Sequence, residues 1–292
     1  MTNRRDFLKT ASLLLAGGYA GSHLLTGCAG TSGPGKSIGL QLYSLRDAMK
    51  EDVPGTLKKV AEMGYTTLET ASYNDGKVYG MSPAEFKKLC NDLGMKIKSA
   101  HVGGEMYKKE NETAFMDFWK KAIDTHAELG VNYLVQPFMP VNDQTTLEEL
   151  KVQCDYYNSL GYMTAAAGGI GFGYHNHNFE FRKIGEETIY DFMLKNTSPN
   201  HVFFQMDVYW VVEGGADPVN YMQQYPDRFP VLHIKDEKEI GASGKMNFEP
   251  IFAMAYQNGM KDYFVEVEKY DYDPVESVKM SYDFLNKASY VK

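Results

Sequence analysis

Gly173-Tyr174-His175-Asn176-His177-Asn178-Phe179-Glu180-Phe181 is the stretch on which the reading of this chain turns. Two histidines stand two residues apart on an apolar run, and on a β-strand residues i and i+2 point to the same face. Three more polar residues interrupt β-like apolar runs further on: Asp207 in Val202–Asp207, His233 in Val231–Asp236, and Glu266 in Tyr263–Glu268. All four are of metal-ligand type and stand about one βα unit apart, so they converge only if their strands close into a parallel barrel.

The rest of the chain has the pattern such a barrel needs. Short apolar runs alternate with longer amphipathic segments, which is the signature of repeated βα units. The runs predict eight strands: Ile38–Tyr43, Thr66–Glu69, Lys96–His101, Tyr133–Pro137, Gly171–His177, Phe203–Asp207, Val231–Lys235 and Tyr263–Val267. Helix starts are marked by Ser82-Pro83, Asp217-Pro218 and Asp273-Pro274, a cap residue followed by proline at the first helical position. Gly64, Gly94, Gly130, Gly169 and Gly259 each stand where a helix gives way to the next strand, the place of a left-handed C-cap. The fold class is α/β, a (β/α)8 TIM barrel in one domain over residues 37–292. The segment from Asn178 to Asn200 is irregular and fits either a lid or a surface insertion.

Residues 1–27 read as a twin-arginine lipoprotein signal peptide. Arg4-Arg5-Asp6-Phe7-Leu8-Lys9 precedes a mild apolar run that ends in Leu25-Thr26-Gly27-Cys28, which resembles a lipobox and makes Cys28 the lipid-bearing residue. The run holds His23 and several glycines and is shorter than the ~20 apolar residues of a membrane span. Residues 28–36 form a tether. The expected location is the periplasm, with the membrane touched only through the lipid.

The formal net charge of −8 becomes −10 without the leader, because Arg4, Arg5 and Lys9 outweigh Asp6 by two. A surface of that sign repels phosphate backbones, so nucleic acid is not an expected partner. Cys90 and Cys154, the cysteines that remain after Cys28, read as buried free thiols.

Gly39–Asp47, Tyr174-His175-Asn176-His177 with Phe179-Glu180-Phe181, and His233-Ile234-Lys235-Asp236 resemble, in this order, the first, fifth and seventh strands of the xylose isomerase-like barrel superfamily. The resemblance is to its sugar phosphate isomerase/epimerase group, which is related to inosose dehydratases, and it spans residues 38 to 290. It implies one divalent metal ion (manganese, cobalt, nickel or zinc) held by His175, Asp207, His233 and Glu266. The group's sugar epimerases carry a glutamate where this chain has His175, and that glutamate is one of their two acid–base groups. Glu266 is left as the surviving counterpart. Inosose dehydratases also carry closely spaced histidines here, which tilts the chemistry towards elimination.

Removal of a proton next to a carbonyl needs a base, and His177, His101 and Lys235 are candidates beside Glu266. Glu69 and Glu180 are placed to bind sugar hydroxyls, and Tyr43, Phe138, Phe179, Tyr209 and above all Trp210 to wall the sugar ring. The strand ends offer only Lys235 and Arg182 to a phosphate, so the expected substrate is an unphosphorylated sugar. The functions left open are a metal-dependent isomerase/epimerase, a lyase acting by β-elimination on a 3-keto sugar or keto-glycoside, and a non-catalytic sugar-binding lipoprotein.

Overall fold

Eight parallel strands close into a barrel in a computed structural model that describes residues 36–292. The strands are β1 (Gly39–Gln41), β2 (Thr67–Thr70), β3 (Lys96–His101), β4 (Tyr133–Gln136), β5 (Gly171–His175), β6 (Val202–Asp207), β7 (Val231–Lys235) and β8 (Asp262–Glu266). Each pairs with its neighbours in sequence, and β8 closes on β1. The expected leader, Cys28 and the tether as far as Gly35 lie outside the described residues, while Lys36 is tied to the carbonyls of Leu285, Asn286 and Ala288. Among the described residues no helix is long and apolar enough to cross a membrane.

Alternation along the strands sorts the chain into two environments. Phe172, Tyr174, Phe204 and Tyr263 face the helices, where Trp119, Tyr157, Tyr190 and Phe252 meet them at ring distances between 5.2 and 5.7 Å. The opposite parity points into the barrel. Its lower part is filled by large aromatics beside glycines, since a Cβ on Gly173 would lie 2.4 Å from the Phe203 ring and one on Gly39 2.6 Å from Phe264. Above that floor the inward positions turn polar, with Gln41, Glu69, Ser99, His175, Gln205 and His233 all buried.

Helix starts follow the capping chemistry. Ser82, Asp217 and Asp273 each accept a backbone N–H at the head of a helix whose first residue is proline. The five glycines expected at helix ends all take positive φ.

Two strands are shorter than the sequence suggests. β1 stops at Gln41, whose side chain accepts from Tyr43 N–H and starts a 3-10 turn over Leu42–Leu45. β5 stops at His175, because Glu180 accepts the His177 N–H at 2.9 Å and draws the chain into a turn. The irregular segment after it is folded: a 3-10 turn at Phe179–Phe181, a hairpin of Lys183–Ile184 with Glu187–Thr188, and a helix at Ile189–Asn196. A second hairpin, Tyr73–Asn74 with Lys77–Val78, follows β2.

Candidate metal centre and its cavity

Register brings the ligand-type residues together. Asp207 stands opposite His233 across β6 and β7, Gln205 opposite His175 across β5 and β6, and Lys235 opposite Glu266 across β7 and β8. One candidate ligand atom from each of His175, Asp207, His233 and Glu266 lies within 4.8 Å of all the others. His101, His175 and His233 form a second overlapping group. Both groups lie at the carboxyl ends of the strands, where (β/α)8 barrels carry their active sites.

The donor set fits a divalent cation. Asp207 spends Oδ1 on the Trp210 N–H, capping the helix Val208–Glu213, while its buried Oδ2 has no hydrogen-bond partner among the described residues. The buried Nδ1 of His175 has none either. Buried polar atoms are almost always paired, so two such atoms in one cluster mark places for a ligand. Burial and the neighbouring His233 and His177 hold His175 well below its ordinary pKa, leaving it neutral as a ligand must be. Burial pushes the Asp207 carboxyl up to about 7 against the pull of Lys235, a cost that a bound cation would offset.

His233 is held from both sides. Its Nε2 lies 2.5 Å from Glu69 Oε1 and its Nδ1 3.3 Å from Glu266 Oε2. Burial opposes charge on this ring, but the two carboxylates outweigh it and push the pKa up to about 10. A metal taken up at Nδ1 would displace the proton facing Glu266 and leave Glu69 to orient the ring, as carboxylates behind metal-binding histidines do.

Glu69 is the correction this geometry makes most clearly. The expected sugar contact is instead a buried hub, accepting from Gln41 Nε2 at 2.7 Å, Gln205 Nε2 at 2.7 Å and Ser99 Oγ at 2.5 Å, with His101 Nε2 at 3.1 Å. No oxygen is left for a sugar hydroxyl. Burial works against its charge, yet His101 and His233 hold it well below the usual carboxylate range. Glu180 is corrected likewise, its oxygens going to the Tyr174 hydroxyl at 2.5 Å and to the His177 N–H. Burial pushes this carboxyl up to about 7.

Lys235 is buried between carboxylates, 3.3 Å from Glu266 and 2.7 Å from Glu268, with the Trp210 ring 5.8 Å away. Burial disfavours its charge, but Glu266, Asp207 and Glu268 raise its pKa well above that of an ordinary lysine. It is a fixed ammonium rather than a mobile base. Glu266 is reciprocally held low by Lys235 and His233 in spite of burial.

A cavity of about 700 Å³ opens over the cluster, and Tyr43, His101, His175, His177 and Glu266 line it. His101 reaches it with Nε2 already engaged by Gln205 at 2.7 Å. His177 reaches it from the turn, with its ring stacked on Phe179 and 5.8 Å from Trp210, and its Nδ1 has no partner among the described residues. Burial holds its pKa down at about 4, so the ring is neutral at neutral pH. Trp210 and Glu69 do not line the cavity.

The sequence reading missed Gln205, Gln41 and Ser99, which complete the Glu69 hub, and Asn176. Asn176 accepts the Asp207 N–H at 3.1 Å and donates to the Asp207 carbonyl at 3.3 Å, fixing the end of β6. Inward parity with β5–β8 pointed to Gln205. For Asn176 the signal was a polar residue between two histidines.

Comparison with known proteins identifies the barrel. The family described as "Xylose isomerase-like TIM barrel" matches residues 57–288. Two crystal structures from Parabacteroides distasonis, each described as a sugar phosphate isomerase/epimerase, are 45% and 40% identical. They superpose with TM-scores of 0.83 and 0.82, covering 88% and 90% of this chain and 100% and 97% of their own. An inosose dehydratase of Geobacillus kaustophilus is 22% identical over 214 residues, 64% of this chain, and the match spans 66% of that protein's length. The chain belongs to the xylose isomerase-like TIM barrel family.

Proposed function

We propose that this chain is a divalent-metal-dependent isomerase/epimerase that removes and returns a proton next to the carbonyl of an unphosphorylated sugar or keto-sugar. The observation that carries the reading is a neutral imidazole, His177, whose Nδ1 has no partner among the described residues, in one cavity with His175 and Glu266 of the buried four-ligand cluster. A cation held by His175, Asp207, His233 and Glu266 would polarise the carbonyl oxygen and stabilise the negative charge that develops there. His177 takes the proton, since its Nδ1 has no partner among the described residues and the ring is unprotonated at neutral pH. Lys235, fixed as an ammonium, balances the carboxylates beneath the substrate. The residues lining the cavity include no lysine or arginine, which argues against a phosphorylated substrate, and Arg182 is already bound to Asp143 and to the Asn142 carbonyl.

One observation favours a second reading. His101 is tied to Gln205 and Glu69, and Glu266 to Lys235 and His233, so of the cavity-lining histidines outside the four-ligand set only His177 keeps a buried ring nitrogen without a partner among the described residues. Inversion of a carbon needs a group on each side, whereas isomerisation or β-elimination from a 3-keto sugar or keto-glycoside needs one. The dehydratase relative supports the same direction.

Metal-stripped protein, reloaded in turn with manganese, cobalt, nickel and zinc, is incubated with keto-sugars and keto-glycosides in deuterated water. The expected result is metal-dependent deuterium entry at the α-carbon, lost in His177→Gln with metal content retained. A rearranged sugar marks isomerisation; release of water or an aglycone with an unsaturated product marks elimination. Metal uptake with no exchange in any substrate leaves the sugar-binding reading instead.

We also propose export by the twin-arginine route and lipid attachment at Cys28, on the sequence signals alone. Cys28→Ser should release the protein from membranes, and fatty-acid labelling that survives this change would overturn the assignment.

A further inference from the structure

The cavity has two chemically different ends. Its deep end is the cluster of histidines and carboxylates, and its outer arm lies over the segments that follow β1 to β4. That arm is apolar and aromatic. Tyr43 comes from the turn after β1, Tyr73 from the hairpin after β2, Phe118 and Trp119 from the helix Glu112–Leu129 after β3, and Phe138 from the segment after β4. Tyr43, Phe118 and Phe138 are 42%, 40% and 41% exposed, and all three stand at this one mouth. Exposed large apolar side chains are ordinary when scattered; gathered in a cavity they mark a surface that something apolar covers.

Size points the same way. A hexose takes up roughly 200 Å³, about the share of six or seven waters. The cavity offers about 700 Å³, leaving the outer arm unfilled when a sugar ring sits at the cluster. The Phe118 and Phe138 rings are open to stacking, whereas Tyr43 carries the Arg46 guanidinium over its ring at 4.9 Å. Phe118 meets Tyr73 and Trp119 only in edge-to-face contacts at 5.7 Å, and Phe138 meets His177 and Phe179 in the same way at 6.1 and 5.8 Å. Backbone geometry makes room for this arm, since Gly103 takes φ +81° where a Cβ would lie 2.9 Å from the Trp119 ring. The charged groups in the lining outside the cluster are Glu105 and Glu268, which disfavour an anionic substituent.

We infer that the outer arm is an aglycone subsite, and that the substrate is a keto-sugar glycoside whose flat, uncharged, aryl-type group lies against Phe118 and Phe138. The inference rests on the reading of the cluster as a sugar-processing centre and names the substrate class it takes.

The test uses the metal-loaded protein and a pair of ligands, the methyl and phenyl glycosides of one 3-keto-glucose, titrated by calorimetry, with deuterium entry read separately on each. The phenyl compound should bind at least about tenfold more tightly, the scale expected of a buried ring with aromatic partners. Phe118→Ala and Phe138→Ala should each weaken phenyl binding more than methyl binding; both side chains are part-exposed, so the fold should survive the change. Equal affinities, failure of the phenyl compound to bind, or a preference that neither substitution moves would each overturn the subsite. So would a dimer, seen by sedimentation, that either substitution dissolves, since a second copy would then cover the arm. Deuterium entry without phenyl preference removes the subsite and leaves the enzymatic reading standing. Phenyl preference without deuterium entry does the reverse.

Discussion

Strands β5 to β8 and strands β1 to β4 furnish the two sides of the same cavity by different means. The first group places His175, Asp207, His233 and Glu266 on the strands themselves, at or within two residues of their carboxyl ends. The second places Tyr43, Tyr73, Phe118 and Phe138 on a turn, a hairpin, a helix and a connecting segment. The difference follows from what each chemistry tolerates. Several charges buried within a few ångströms cost many kcal/mol if misplaced, so they need the fixed spacing of a hydrogen-bonded ladder. An aromatic wall stabilises its ligand by area and tolerates small shifts, so looser elements suffice.

Glu69 is where the two halves meet, since it belongs to β2 and holds His233 on β7, Gln205 on β6 and His101 on β3. Glu69→Ala should therefore be the most damaging single change, on the order of 3–5 kcal/mol, because it strands buried partners without an acceptor. Phe118→Ala, at the exposed mouth, should cost within about 1 kcal/mol. Urea unfolding of the two variants checks the contrast, and equal losses would mean that the barrel centre carries no more of the stability than its rim.

A smaller effect separates the halves in metal binding. Asp207→Asn keeps the Oδ1 that caps Trp210 N–H and removes only the charge and the second carboxylate oxygen. Its affinity for zinc or manganese, measured by calorimetry, should fall by more than the ~10–100-fold that outer substitutions cost. Phe138→Ala should leave that affinity unchanged. Were Phe138→Ala to lower it as much as Asp207→Asn, the cavity would have to be read as one cooperative unit.

The same contrast explains what could be read from the sequence. The ligand side was legible because a polar residue inside an apolar strand is conspicuous, and parity then fixes the side of the sheet on which it stands. His175, Asp207, His233 and Glu266 carried that signal, as did all eight strands. The aromatic side was not legible in full: Tyr73 and Phe118 sit on a short hairpin and a helix whose own patterns say only that an aromatic is present. Glu69 and Glu180 looked like sugar contacts because residue type and strand-end position carry no information about the partners waiting across the barrel. His177 reaches the cavity as the sequence suggested, but from a turn set by Glu180 rather than from the strand.

The smallest expected effect concerns the shell behind both halves. Cys90 lies on the helix Pro83–Asp92 behind the aromatic side, and Cys154 on the helix Leu147–Ala166, which packs against β5. Both are buried free thiols, and burial pushes each up to about 12. At pH 8 only about one in ten thousand of either is thiolate in the folded state, so a thiol reagent should label both very slowly until urea exposes them. The pH dependence has a defined sign. Unfolded thiols ionise near about 8.5, so the folded state binds more protons above that pH, and stability should be constant below it and decline as pH rises further. Equal protection of the two cysteines would mean that the looseness of the aromatic side is confined to its loops. Faster native labelling of Cys90 than of Cys154 would show instead that the helices behind β1 to β4 open more readily than those behind β5 to β8, carrying the asymmetry of the cavity through to the shell.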